Sequence, residues 1–489
     1  MTLIEIFRRS LLTLAATFMC LATARAQSAA PAATVPALLL SDIHLDPFAD
    51  PFKVAKLNAA PAADWPAILS APASSTQAKD FDALLTSCHA KGTDTSWVLW
   101  QSSLSALHAN AAQVQFVTIS GDLLAHSFDC KYKTIVPGAE PADYVAFTEK
   151  TVRTIVSTLR AALPGVSVYV AMGNNDSGCG DYELDAAHDA FLGLVAKIVA
   201  EALPVEDRAA VLRDFSAGGY YNVPLAGVAH TRLIVLDDLF LSSKYTTCSG
   251  KDNAAPATSQ LAWLAGQLAS ARQQHEQVWV MGHIPPGVDV YASVKKNTNS
   301  CTGGKLTMFL GTDALAELLT ANAEIVRLAI FGHTHFDEMR LLTAESGSTK
   351  PAAQSSLGVP LKIVSSITPV NGNRPTFTLA SIDPATATMV DYSVYMASNS
   401  TGVGTTWAKE YTYSTTYHQR AFDATGLAAL LPAMQADHAV KTAASQAYLR
   451  NFIAGDTSNA LQLMWSQYSC SLDHDSAAGF SACACGATK

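Results

Sequence analysis

Short apolar runs of strand length alternate along this chain with longer stretches of helical periodicity. Thr34 to Leu40, Val114 to Ser120, Val166 to Ala171, His230 to Leu236, Gln277 to Met281 and Arg327 to Phe331 each read as a buried strand. Between them, Lys79 to Leu85, Val98 to Ala112, Pro141 to Leu163, residues 184–215 and Ser259 to Gln274 read as helices. In the last of these, Leu261, Leu264 and Leu268 share one face, and Ser259 is the predicted N-cap. Pro47 to Ser75 is rich in Pro and Ala without clear periodicity, which predicts a surface excursion. Strand and helix in alternation define a layered α/β body. Farther along, Leu361 to Ile367, Thr376 to Ile382 and Met389 to Tyr395 predict consecutive antiparallel strands that complete a second sheet, with Asn371-Gly372 and Asp383-Pro384 in the connections. The texture changes near Met396, and from Ala421 the chain reads as Ala/Leu-rich helices closed by a cysteine-rich tail. The expected division is therefore one α/β body over 34–400 and a helical C-terminal subdomain over 401–489.

The first 26 residues stand apart from this pattern. Arg8-Arg9 precede an apolar run from Leu11 to Leu21, and Ala24-Arg25-Ala26 supplies a cleavage site, so a signal peptide and a secreted or periplasmic location are expected. The run is short for a membrane anchor, and no later run reaches spanning length. Hydrophobic residues make up 49% of the 489 and charged residues 15%, a balance that excludes a disordered chain. Loss of Arg8, Arg9, Arg25 and Glu5 would make the mature chain two charges more negative than the formal −9 of the whole. That excess disfavours nucleic acid or an anionic membrane as partner. Cleavage also removes Cys20 and leaves Cys88, Cys130, Cys179, Cys248, Cys301, Cys470, Cys483 and Cys485, an even number that suggests disulfides in an oxidising compartment. If Cys248 pairs with Cys301, three cysteines remain on either side, and full pairing needs a bridge from the tail to the N-terminal half. A structural zinc on Cys470, His474, Cys483 and Cys485 is the competing expectation.

Candidate chemistry gathers where the strands end. Ser41-Asp42-Ile43-His44, Gly121-Asp122, Gly173-Asn174-Asn175, Gly282-His283 and Gly332-His333-Thr334-His335 each offer oxygen or imidazole ligands just past an apolar run, and five such ends in one chain are unlikely by chance. On a continuing strand Asp42 and His44 would share a face. Two divalent ions roughly 3.5–4 Å apart need a carboxylate between them to offset their repulsion, and together they activate water and clamp a phosphoryl oxygen. Imidazoles and one amide oxygen complete such shells without adding negative charge.

With these motifs the chain resembles the calcineurin-like metallophosphoesterases over roughly 34–400. Gly121-Asp122-x-x-x-His126, Gly282-His-Ile-Pro-Pro-Gly287 and Gly332-His-Thr-His-Phe-Asp-Glu338 are most similar to the acid sphingomyelinase and sphingomyelinase-like phosphodiesterase branch. The resemblance implies a four-layer αββα sandwich with a disulfide-bearing C-terminal subdomain, and two divalent metal ions, zinc first and manganese or iron as alternatives. It implies Asp42, His44 and His335 on one ion, Asn174, His283 and His333 on the other, and Asp122 bridging them. It also implies hydrolysis of a phosphoester or phosphoanhydride by metal-activated water, with His126 protonating the leaving group. A soluble nucleotide or phosphocholine-type substrate leads, with sphingomyelin close behind; a polyphosphatase, a phosphomonoesterase and a catalytically decayed binding protein are the alternatives. Two features depart from the branch. No saposin-like lipid-extracting domain is expected before the first strand, and the family's Gly-Asn-His reads Gly173-Asn174-Asn175 here. An amide can hydrogen-bond a phosphate oxygen but cannot shuttle a proton, so Asn175 is expected to bind substrate and His126 to carry the acid role alone.

Overall fold

Among the described residues, twelve strands form two six-stranded sheets. In chain order they are β1 (Val35–Leu40), β2 (Phe116–Ser120), β3 (Ser167–Ala171), β4 (Tyr221–Pro224), β5 (Thr231–Val235), β6 (Gln277–Met281), β7 (Val326–Phe331), β8 (Glu338–Leu342), β9 (Val359–Ile363), β10 (Thr376–Ile382), β11 (Met389–Ala397) and β12 (Trp407–Thr412). The first sheet runs β12-β11-β10-β1-β2-β3 and the second β4-β5-β6-β7-β9-β8. This computed structural model describes residues 33–186, 189–344 and 358–486, so the expected signal segment lies outside the described residues.

Strand β6 explains why the sheets stack. Its alternate residues Trp279 and Met281 join the larger core cluster, while Val278 and Val280 join a second cluster with Leu264 and Leu268 of the helix Ala255–Gln273 and Leu315 and Leu319 of the helix Ala314–Thr320. One face of the second sheet thus meets the first sheet, and the other is covered by helices. Across the interface the Trp279 ring stands edge-on to Phe116 of β2 at 5.9 Å, and its indole N–H donates to the Ala387 carbonyl at 2.8 Å. Helices Trp97–Asn110, Pro141–Ala162 and Ala190–Glu201 contribute Leu107, Ile155 and Val199 to the core of the first sheet. The result is the αββα sandwich with mixed sheets and a disulfide-bearing C-terminal region.

Strands β1, β2 and β3 are mutually parallel, as are β5, β6 and β7, so their C-terminal ends gather at two rims. Those rims meet at Ser120, whose hydroxyl reaches the Leu40 carbonyl at 3.3 Å and the Phe331 carbonyl at 3.4 Å. The site forms there.

Several expectations change. Strands β10 and β11 do not complete the second sheet: β10 pairs antiparallel with β1 and extends the first sheet, leaving only β9 beside β7. The chain crosses between sheets just after β9, where the amides of Ile367 and Thr368 donate to the carbonyls of Ser41 and Asp42 at 3.3 and 3.1 Å. Beyond residue 400 the chain is not wholly helical, because β12 pairs with β11. The stretch Pro47 to Ser75 contains helices Val54–Ala59 and Trp65–Ser70, with Phe48, Leu57 and Trp65 fully buried. The helix predicted to begin after Ser259 begins at Ala255, where Pro256 suits the first turn because its missing N–H costs nothing there.

The cysteine pairing is Cys88–Cys130, Cys179–Cys248, Cys301–Cys485 and Cys470–Cys483. Cys248 therefore does not pair with Cys301, and no bridge joins the tail to the N-terminal half. Backbone pairing decides it: Thr246 donates to the Tyr182 carbonyl and Leu184 to the Thr246 carbonyl, both at 3.1 Å, which brings Cys248 to Cys179. Because Cys470, Cys483 and Cys485 are oxidised, the alternative zinc site has no thiolates. Among the described residues no helix is long and apolar enough to cross a membrane.

Candidate metal centre

Asp42 and His44 do not share a face by continuing β1. Both take left-handed backbone conformations, with φ of 47° and 45°, and so do Asp122 (55°), His333 (72°) and His335 (70°). Such a conformation costs a residue with a Cβ about 1–2 kcal/mol, so the tertiary structure holds these five in place at some expense. The left-handed turns follow directly on β1, β2 and β7 and fold the side chains back toward one another. Glycines after β2 and β3 are required by close approach. A Cβ on Gly121 would lie 2.6 Å from His283 Nδ1, and one on Gly173 would lie 2.1 Å from an Asp122 oxygen.

All seven expected ligands come together. Asp42, His44, Asp122 and His335 present ligand atoms within 4.8 Å of one another, as do Asp122, His283 and His333. Asn174 joins the second group, its Oδ1 lying 2.8 Å from His333 Nδ1 and 3.2 Å from His283 Nε2. Asp122 Oδ2 belongs to both, 3.3 Å from His44 Nε2 and 3.2 Å from His283 Nε2. On the far side of each of these imidazoles, Nδ1 meets a carbonyl oxygen: Leu124 at 2.7 Å for His44 and Ser120 at 2.8 Å for His283. A carbonyl only accepts, so Nδ1 carries a proton, and Nε2 is the nitrogen turned inward, ready to bind a cation once its own proton leaves. His44 Nε2 and His335 Nε2 face each other at 3.3 Å with Asp42 Oδ1 3.3 Å from the latter. Converging lone pairs around a carboxylate are what a divalent cation requires, so the donor set fits two ions sharing Asp122.

Without a cation, two of these rings keep a second proton. Burial pulls His44 and His283 down, but the Asp122 carboxylate outweighs it and pushes them up to about 9 and about 10. Burial, reinforced by His283 and His44 respectively, pushes His333 and His335 down to about 3. Although burial raises Asp122, the His283 and His44 rings hold it well below the usual carboxylate range.

His126 lies beside the first group, its ring stacked on His44 with centroids 4.1 Å apart. A residue absent from the sequence expectations orients it. Buried Asp94 accepts from the His126 backbone N–H and faces its Nδ1, both at 2.9 Å, and also accepts from Thr368 Oγ1 at 3.1 Å. Burial raises the Asp94 carboxyl, but His126 leads the charges that hold it well below the ordinary range. Buried Lys131 stands 3.7 Å from Asp94 while bonding Asp46 at 2.7 Å. Asn175 faces Asp122, its backbone N–H donating to Oδ1 and its amide to Oδ2, each at 2.9 Å. Its amide therefore orients the shared carboxylate.

Two further aspartates fix the turns. Asp176 accepts from the backbone amides of Leu123, Leu124 and Gly173 at 2.8–2.9 Å, tying the β2 and β3 turns together. Asp238 accepts from His283 N at 2.9 Å and Ile284 N at 3.0 Å. Their positions after strand ends were a visible signal; the backbone amides that they receive were not.

The chain belongs to the calcineurin-like phosphoesterases, whose family model matches residues 35–337, from β1 through both histidines of the Gly-His-x-His turn. Members of this family use a dinuclear metal centre, and the clustered donors here are suited to one. Within the family the chain is similar to acid sphingomyelinase-like phosphodiesterases. It is 24% identical over 338 residues to sphingomyelinase phosphodiesterase D of Dictyostelium discoideum, covering 67% of this chain and 66% of that protein. It is 25% identical over 330 residues to acid sphingomyelinase-like phosphodiesterase 3b of Homo sapiens, covering 66% of each. It is 24% identical over 310 residues to cyclic GMP-AMP phosphodiesterase SMPDL3A of Bos taurus, covering 62% of this chain and 60% of that protein. The matched segment thus spans just under two-thirds of these relatives.

Proposed function

We propose that this chain is an exported, dinuclear-metal phosphodiesterase that hydrolyses a small phosphoester or phosphoanhydride. The observation that carries the reading is Asp122 Oδ2 between His44 Nε2 and His283 Nε2, with both opposite ring nitrogens committed to carbonyls. Asp42, His44 and His335 would hold one ion, Asn174, His283 and His333 the other, and Asp122 both. Bound there, two divalent ions, zinc first and manganese or iron as alternatives, would supply an activated water and offset charge gathering on the phosphoryl oxygens. His126 donates the proton to the departing oxygen. With Asp94 on Nδ1, the atom that delivers it is Nε2. One N–H of the Asn175 amide aims the Asp122 carboxylate, and the second N–H on the same nitrogen would meet a phosphoryl oxygen.

The four disulfides support an oxidising location, outside the cytosol. The named activities of the relatives, on sphingomyelin and on cyclic GMP-AMP, support a phosphodiester as the substrate class. The test is to measure bound metal on the expressed chain and to assay bis- and mono-nitrophenyl phosphate, nucleoside triphosphates, CDP-choline and sphingomyelin micelles side by side. Turnover of at least one diester or anhydride with two metals bound is expected. Full occupancy without turnover on any of them would make the chain a binding protein.

A further inference from the structure

At the end of the metal cluster away from His126, the ring of His333 is flanked edge-on by two aromatics, Tyr182 at 6.4 Å and Phe309 at 5.9 Å between centroids. The Tyr182 hydroxyl lies 3.4 Å from His333 Nε2. Exposed Lys244 sits on this pair, its ammonium 4.5 Å from the Tyr182 ring centroid and 3.3 Å from the Tyr182 hydroxyl. The lysine is anchored at its base: Thr246 and Tyr182–Leu184 pair through their backbones, and Cys179–Cys248 closes the same two segments. The carboxylates that feel its charge, Asp181 and Asp289, are engaged elsewhere, with Asn174 Nδ2 at 2.7 Å and the Ala292 amide at 2.8 Å. Arg340, whose guanidinium lies 5.5 Å from the Phe309 ring centroid, is by contrast buried on Glu338.

Resting on the hydrolase reading above, we propose that Lys244, held by Tyr182, forms a subsite for a second phosphate adjoining the one that is cleaved. An ammonium with a neutral hydroxyl as partner keeps donors for an incoming phosphate oxygen, and a bond between charged groups is among the stronger ones. The same placement works against a phosphocholine ester. Aromatic faces attract quaternary ammonium groups, but Lys244 already occupies the face of Tyr182 and repels a second cation. The subsite therefore selects phosphoanhydrides in which the attacked phosphate keeps the second one: from ATP, water adds to the β-phosphorus, the γ-phosphate stays on it at the His333 end, and the bond to the α-phosphate oxygen breaks at the His126 end, giving AMP and pyrophosphate.

Lys244→Met tests this through discrimination. The ratio of kcat/KM for ATP to that for nitrophenylphosphorylcholine is expected to fall about tenfold, through the KM for ATP, with Lys244→Arg restoring most of it. An unchanged ratio, or equal losses on both substrates, overturns the subsite. Binding separates this outcome from failure of the hydrolase reading. By calorimetry, the metal-loaded protein should prefer inorganic pyrophosphate over inorganic phosphate, and Lys244→Met should remove that preference. If the wild type turns over neither substrate, a Lys244-dependent preference for pyrophosphate upholds the subsite, and its absence overturns it.

Discussion

The pairing of Asp94 with His126 gives a quantitative handle on the proton-transfer step. Asp94→Asn keeps the shape but replaces an anion that meets both the backbone N–H and Nδ1 of His126 at 2.9 Å. A hydrogen bond to a charged group contributes about 1.5–3 kcal/mol, so losing the charge should cost about 10- to 150-fold where His126 must give up a proton. His126→Ala should cost more, within the roughly 10²- to 10⁴-fold span of general acid catalysis. Neither variant removes an expected metal ligand, and Lys131 keeps its bond to Asp46 at 2.7 Å, so both should retain metal. The assay is kcat/KM on a pair of diesters, one with an alkoxide and one with a nitrophenolate leaving group, since the latter departs without a proton. Both losses should appear on the alkyl ester and largely vanish on the nitrophenyl ester. Because Asp94 acts through His126, the double variant should be no slower than His126→Ala alone. Equal losses on both esters, or single losses that multiply in the double variant, would refute the acid role.

Metal uptake should be linked to protons, because Asp122 raises His44 to about 9 and His283 to about 10 without metal. Protons leave before ions bind, so affinity should be greatest above pH 10 and fall as pH drops through 9, about tenfold per unit for each proton displaced; calorimetry in buffers of different ionisation enthalpy counts them. Asp337→Asn takes the counter-charge from buried Lys362, whose other oxygen partners are the neutral Ile363 and Glu338 carbonyls at 2.7 and 3.2 Å, and should cost about 3–5 kcal/mol in denaturant unfolding. Because Asp337 follows His335 by two residues and its other oxygen accepts from Tyr411 at 2.7 Å, the same variant should weaken metal binding; unchanged affinity would mean that the C-terminal region does not brace the histidine turn. Removing Cys301–Cys485, which spans 184 residues, should destabilise more than removing Cys470–Cys483, which spans 13; chain entropy predicts above 4.7 against about 3 kcal/mol, read from melting curves of paired Cys→Ala variants.

The local pattern determined a good deal. Strands β1, β2, β3, β5, β6 and β7 are legible because runs such as Val168–Val170 and Val278–Val280 are buried on both sides, and burial writes itself into composition. The seven expected donors stood out because each lies within four residues of the end of such a run. What the pattern could not say is which edge a strand joins. Thr376–Ile382 has the same alternation beside β1 as it would beside β7, and only the crossing held by Ser41 and Asp42 places it in the first sheet. Cysteine pairing followed the same logic, since Cys248 met Cys179 through the backbone pairing of Thr246 with Tyr182. Asp94 is the clearest case. It sits in a short loop without a strand before it, 32 residues from His126, and nothing local distinguishes it from a solvated aspartate. Sequence determined which residue types stand at the strand ends; the tertiary structure decided which carboxylate stands behind His126 and which lysine stands before His333. Those partners are set by long-range packing, which leaves no period in the chain.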